Sequence, residues 1–281
     1  MNVNRGQAEA WNGGESVHYV DHADRYDRQL EPFVDAIFDG LDIAPDHTVL
    51  DVGCGCGVTT LRAARAADTA LGADISAPLI EVATARARDQ GVETADFVVA
   101  DAQIHQFGDG AFDHVISQFG LMFFDDPVGA FTNLARTLRS NGQIRFVTWQ
   151  GLEANEWVRL VAEAVAEYVE RPVLGGLSGG PGMFALDQPV EIDALLRNAG
   201  FTQIEIEPLT PDITIAGGGT VDESLQFLVG MGIVRGLLGR LEPAARHEAV
   251  ASIGAVLAGR YVEGVGVTLG AAGWRVTARS G

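Results

Sequence analysis

The sequence contains no lysine: all 19 basic residues are arginine. That absence excludes a Walker A phosphate lysine, a pyridoxal Schiff base and a kinase-type phosphate lysine. Cysteine is almost as scarce, with only Cys54 and Cys56. Two thiols at alternate positions of one tight turn offer poor disulfide geometry, and no further cysteine supplies metal ligands. They are read as small loop residues in a reducing compartment, so the cytoplasm is the expected location. No apolar run reaches the roughly 20 residues that a membrane span requires. The polar stretch Met1–Ala10 lacks the charged-then-apolar order of a secretory signal. Basic charge is also short: 38 acidic residues leave a net charge of −19. Such a surface repels phosphate backbones and anionic lipid, which disfavours nucleic acid as substrate.

What remains is the composition of a globular chain of 281 residues, 47% hydrophobic and 20% charged. The length suits one large domain, or one domain with a sizeable insertion. Residues 46–149 alternate strand and helix patterns with short connections, as βαβ units do. Strands are expected at Thr48–Val52, Ala70–Asp74, Phe97–Ala100, Phe112–Ser117 and Ile144–Trp149. Helices are expected at Val58–Ala67, from Pro78 to about Gln90, and at Val128–Leu138, the last stopped by Asn141-Gly142. Right-handed crossovers then force an α/β doubly wound sheet with helices on both faces. Beyond it, helices are expected at Glu153–Val169, Val190–Asn198, Val221–Leu238 and Pro243–Arg260, and strands at Phe201–Glu207 and Trp274–Arg279. The glycine-rich stretch 175–182 is read as a lid or a linker.

The most informative segment is Asp51-Val52-Gly53-Cys54-Gly55-Cys56-Gly57-Val58. A hydrophobic strand ends in an acid, glycines follow at alternate positions, and a helix begins. Glycine there permits positive φ and close ligand approach, and the helix N-terminus favours an anionic group. A dinucleotide fingerprint would need a third glycine where Val58 stands, so that pattern fails. Asp74-Ile75 closes the second strand about 20 residues on, Asp101-Ala102-Gln103 closes the third, and Ser117-Gln118-Phe119 ends the fourth. Three acids at successive strand ends suit one ligand at the carboxyl edge of an open sheet.

On these residues the sequence resembles the class I S-adenosylmethionine-dependent methyltransferases, in the style of small-molecule enzymes of the ubiquinone and menaquinone type. The resemblance is strong over about residues 46–150. It continues weakly through Asn141-Gly142-Gln143, which departs from the usual Pro-Gly-Gly loop, and through the final strands. It implies a Rossmann-like, seven-stranded, mostly parallel sheet with an antiparallel last strand, plus helical insertions forming a lid. The implied division is an N-terminal helical lid segment, 1–45, and a methyltransferase domain, 46–281, with insertions at about 150–189 and 215–260. The implied cofactor is S-adenosyl-L-methionine, leaving S-adenosyl-L-homocysteine as product.

By the resemblance, Asp51, Gly53, Cys54, Gly55, Asp74, Ile75, Asp101, Ala102, Gln103, Ser117 and Gln118 bind the cofactor. Asp74 takes the ribose hydroxyls, and Asp101 with its neighbour takes the adenine. Phe119, Met122, Phe123, Tyr19 and Trp149 are the candidates to touch a small apolar or aromatic acceptor. No residue announces itself as a base; His18, His22 and Tyr19 are the candidates, because N-terminal segments in this family cover the active site. No metal is expected, since a solvated helix explains His18 and His22 better. His105 and His114 are read as rim and structural residues. The 215–260 insertion completes the lid or a homodimer contact. A non-catalytic adenosylmethionine-binding module and a nicotinamide-dependent oxidoreductase are the alternatives.

Overall fold

The computed structural model describes residues 4–166, 168 and 181–281. Three helices lead: α1 (Arg5–Trp11), α2 (Gly14–Asp21) and α3 (Ala23–Phe38). The alternating region follows as β1 (Thr48–Val52), α4 (Val58–Ala64), β2 (Thr69–Asp74), α5 (Ala77–Asp89), β3 (Ala95–Val99), β4 (Phe112–Gln118), α6 (Pro127–Thr137) and β5 (Leu138–Trp149). Then come α7 (Glu156–Val165), α8 (Pro189–Asn198), β6 (Phe201–Leu209) and β7 (Asp212–Thr214). The chain closes with α9 (Val221–Gly230), α10 (Gly232–Leu238), α11 (Pro243–Ala258), β8 (Tyr261–Val262), β9 (Gly266–Gly270) and β10 (Gly273–Ser280).

The seven-stranded sheet has the order β3-β2-β1-β4-β5-β10-β6. Strands β1 to β5 pair in parallel, and β10 runs antiparallel between β5 and β6, as expected of the last strand. The order reverses between β1 and β4, so the crevice at that switch point is where such sheets hold ligands. Central strands are apolar on both faces because helices cover both. Leu50, Val115, Ile116, Ile144 and Phe146 have no exposed surface.

Three expectations need correction. Asn141-Gly142 does not end a helix; α6 stops at Thr137, and β5 already begins at Leu138. Its pairing with β4 jumps from Phe112↔Leu138 to His114↔Gln143, and Asn141 takes a positive φ of 65°. The pair is thus a bulge, with left-handed backbone that asparagine tolerates. The helix expected at Val221–Leu238 is two, broken at Met231, whose extended backbone (ψ 138°) lies between Gly230 and Gly232. The helix expected at Glu153–Val169 spans Glu156–Val165, and of the stretch 175–182 only Pro181 and Gly182 are among the described residues. A second sheet, β7-β9-β8, was not expected at all. Its strands are two to five residues long and carry little periodicity to read.

His114, expected to be structural, lies near the start of β4, at the end of the sheet away from the glycine turn. Its Nε2 is 3.0 Å from Nδ1 of His47. Burial, followed by the neighbouring His47, pushes the His114 imidazole down to about 4. The folded form therefore holds it neutral while the unfolded chain charges it below about 6.5. Stability from this group is lost as pH falls from about 6.5 toward 4, by about 1.4 kcal/mol per pH unit. His114→Gln should flatten that part of the profile. Urea midpoints at pH 7 and pH 5 test it, and an unchanged difference between the two pH values overturns it.

Candidate functional site

The carboxyl ends of β1, β2, β3, β4 and β5 border one cavity of about 610 Å³, roofed by α2, α3 and α10. Its floor is the glycine turn, where Gly53, Gly55 and Gly57 have φ of 69°, 53° and 88°. Gly53 and Gly120 meet backbone to backbone: a Cβ on Gly53 would lie 2.7 Å from Cα of Gly120. A Cβ on Gly55 would meet nothing within 4 Å, so that peptide is open to a ligand. Helix α4, expected to reach Ala67, has only seven residues and so little dipole to offer.

Asp51 does not line this cavity. It is fully buried beneath the turn, and its Oδ2 accepts from Thr59 Oγ1 (2.5 Å) and Thr60 Oγ1 (2.6 Å). Burial pushes its carboxyl up to about 6 against the pull of those two donors. Its position makes it the fastener between β1 and α4, in place of the expected cofactor contact. Ser117 and Gln103 are likewise absent from the described wall. Ser117 Oγ donates to Val52 O (2.7 Å) and accepts from Gly120 N, while Gln103 Oε1 accepts from Asp126 N. Both tie loops together.

The other expected cofactor residues, Gly53, Cys54, Gly55, Asp74, Ile75, Asp101, Ala102 and Gln118, do line the cavity. Asp74 Oδ2 accepts from Gly55 N at 2.9 Å and Oδ1 from Ser76 N at 2.8 Å. Burial raises its carboxyl above the usual range, and the backbone N–H groups oppose this. The carboxylate's four acceptor sites exceed the backbone N–H groups of Gly55, Ile75 and Ser76 that meet it, so acceptor capacity remains for a hydroxyl. Asp101 accepts from Asn4 N and Nδ2 and from Gln103 N. Ser76 Oγ donates to Trp11 O, and Asn12 bridges Ile75 O and Ala77 N, so the N-terminal segment is fastened across the ends of β2 and β3. Burial pushes both thiols up, Cys56 to about 12, so neither is a nucleophile. An open glycine cradle flanked by two carboxylates fits the adenosyl group that the sequence implies.

The remaining wall is aromatic. Phe119, Met122, Phe123, Tyr19 and Trp149, all expected at the acceptor, line it. Phe119 stacks on Trp149 with centroids 4.0 Å apart, and its φ of 58° is a strained, left-handed backbone at the switch point. Tyr19 stacks on Tyr26 at 3.8 Å. Its hydroxyl makes no hydrogen bond with the described residues, and burial keeps the phenol protonated well above its ordinary range. His18 and His22 stand outside the described wall. His18 Nδ1 is 2.9 Å from the Tyr26 hydroxyl, and burial pushes its imidazole down to about 4, so it is neutral near pH 7. Among the described residues no cluster could hold a metal ion, and no helix is long and apolar enough to cross a membrane.

Sequence reasoning missed Asn4, Glu15, Tyr26, Met183 and Arg240, which also line the cavity. A signal existed for the first helices: Glu15, Tyr19, Ala23, Tyr26 and Leu30 recur every three or four residues along one side of α2 and α3.

The contact between the turn and the β4 loop can be tested directly. In Gly120→Ala the new Cβ would lie 2.6 Å from Val52 O and 2.9 Å from Gly53 Cα. Gly55→Ala meets no atom and carries only the left-handed penalty of about 1–2 kcal/mol. Gly120→Ala should therefore lower the unfolding midpoint in urea more than Gly55→Ala does; the reverse order would refute the packing.

Residues 50–146 match the family model described as a methyltransferase domain. An uncharacterised protein of Mycobacterium tuberculosis is 34% identical over 129 residues, 46% of this chain and 47% of that one. A ubiquinone biosynthesis O-methyltransferase of Paracidovorax citrulli is 28% identical over 72% of this chain and 83% of its own length. Among solved structures, the YcgJ protein of Bacillus subtilis superposes with a TM-score of 0.59 at 17% identity, covering 89% of this chain and 98% of that one. The chain spans about half the length of the first curated relatives it matches. Residues 50–146 thus match the methyltransferase-domain family, and the chain shares with the YcgJ structure the Rossmann-like, seven-stranded, mostly parallel sheet built around them.

Proposed function

We propose that the protein transfers a methyl group from S-adenosylmethionine to a small apolar or aromatic molecule, at oxygen, nitrogen or carbon. The observation that carries this is the continuity of one cavity: Asp74, Asp101 and the glycine turn share it with the Phe119–Trp149 stack. The activity in the name of the Paracidovorax relative, O-methylation in ubiquinone biosynthesis, supports a small acceptor. The net charge of −19 supports an acceptor that is not nucleic acid.

The sulfonium group supplies an electrophilic methyl, so the chain's task is chiefly positioning. In favourable systems alignment alone lowers a barrier by roughly 7–11 kcal/mol. Asp74 would hold the ribose and Asp101 the adenine, while the aromatic wall excludes water and orients the acceptor. Tyr19, protonated and with no partner for its hydroxyl among the described residues, is the group to hydrogen-bond the acceptor. His18 touches the cavity wall through Tyr26, and neither His18 nor His22 is needed in this reading as a base. In the same reading, residues 1–45 and 215–260 act as a lid, and the free thiols support a cytoplasmic location. A homodimer contact beside the second segment draws support from exposed Val262 and Val265.

Calorimetry with S-adenosylhomocysteine should register binding that Asp74→Ala weakens at least tenfold. Unchanged affinity would remove the ribose role. Tyr19→Phe should leave that affinity intact and slow methyl transfer to a panel of phenols, amines and thiols about tenfold; equal rates would discard the acceptor contact.

A further inference from the structure

We infer that the acceptor carries an anionic oxyacid group, a carboxylate or phosphate, and that Arg240, just past the C-terminal end of α10, recognises it. The inference rests on the methyl-transfer reading of the cavity and narrows its acceptor. Gly232, Ile233, Gly236, Leu237 and Arg240 recur at helical spacing and form one wall. The first four are apolar or lack a side chain, and a Cβ on Gly236 would meet nothing within 4 Å, so the wall is open there. Arg240 follows on the same side, exposed, and is the only cation lining the cavity among the described residues.

Its lack of a partner is uncommon among the described arginines. The neighbouring Arg235 is bound to Glu15 at 2.7 Å, Arg86 is held by Asp24 and Asp27, and Arg260 pairs with Glu156. Arg240 makes no ion pair and no side-chain hydrogen bond with the described residues, in a chain with twice as many acids as bases. The acidic groups of the cavity have separate engagements. Glu15 is taken by Arg235 and Asp27 by Arg86, while Asp74 and Asp101 sit at the ends of β2 and β3. A guanidinium presents a planar fork of donors that matches an oxyacid in two parallel hydrogen bonds. An acceptor with an apolar body against the aromatic wall and an oxyanion at Arg240 would satisfy both surfaces. The same contact would orient the nucleophilic end inward, toward the glycine turn.

The test compares 2-naphthoate, 2-naphthyl phosphate and the neutral 2-naphthamide, titrated by calorimetry into wild type, Arg240→Gln and Arg240→Lys. Each protein is used both saturated with S-adenosylhomocysteine and alone. Wild type should bind at least one anion about tenfold more tightly than the amide, and the tighter anion identifies carboxylate or phosphate as the source. Arg240→Gln should abolish the preference, and Arg240→Lys should retain part of it. Equal binding of all three probes, or a preference that survives Arg240→Gln, overturns the inference. Failure of S-adenosylhomocysteine to bind would instead overturn the methyl-transfer reading, and the titrations of the protein alone would still decide the role of Arg240.

Discussion

A single buried carboxylate fastens the frame on which the cavity depends. Asp51 lies at the end of β1 with no exposed surface, and the hydroxyls of Thr59 and Thr60 bind it from the first turn of α4. Taking a carboxyl group so far out of water is costly unless donors meet it. Here two hydroxyls meet Oδ2, and they fix where α4 begins relative to β1. The three glycines between them must then trace one path, and that path delivers Gly55 N–H to Asp74 and Gly53 to the backbone of Gly120. The ends of β2 and β4 are thereby tied to β1, and the crevice at the strand-order reversal acquires a fixed floor.

The roof is assembled from distant parts of the chain. Helix α2 lies against the break between α9 and α10, and two glycines there make room for it. A Cβ on Gly230 would collide with the His18 imidazole, and one on Gly232 with the Glu15 carboxylate. Arg235 donates both to Glu15 and to Gly230 O, clamping the helix end to the break. The interruption at Met231 therefore has a packing role: a continuous helix with side chains at both flanks would hold α2 away. Apolar anchors complete the contact, with Phe227 against Tyr26 and His18.

Most of the sheet could be read from sequence because its signals are local. Apolar runs punctuated by glycine and acid located β1, β2, β4 and β10, and the spacing of Asp74 and Asp101 after the glycine turn located two carboxylates that line one cavity. What failed depended on context that a linear pattern does not carry. Asp51, Ser117 and Gln103 share the motif with true wall residues, yet burial turns their polar atoms inward to Thr59, Thr60, Val52 and Asp126. The break at Met231 and the bulge at Asn141 answer to packing against α2 and to pairing with β4, both remote in sequence. Arg240 carries no motif at all; only the folded wall distinguishes it from other exposed arginines.

The attachment of Asn4 to Asp101 has a thermodynamic corollary. Both oxygens of that carboxylate accept from Asn4, whose side-chain oxygen in turn accepts from Asp125 N. Any nucleobase seeking Asp101 competes with the start of the chain for the same acceptor. Where a nucleobase takes the acceptor that Asn4 occupies, the apparent dissociation constant is the intrinsic one divided by the fraction of molecules in which this tether has let go. Binding at that acceptor and release of the N-terminal segment are then two faces of one equilibrium.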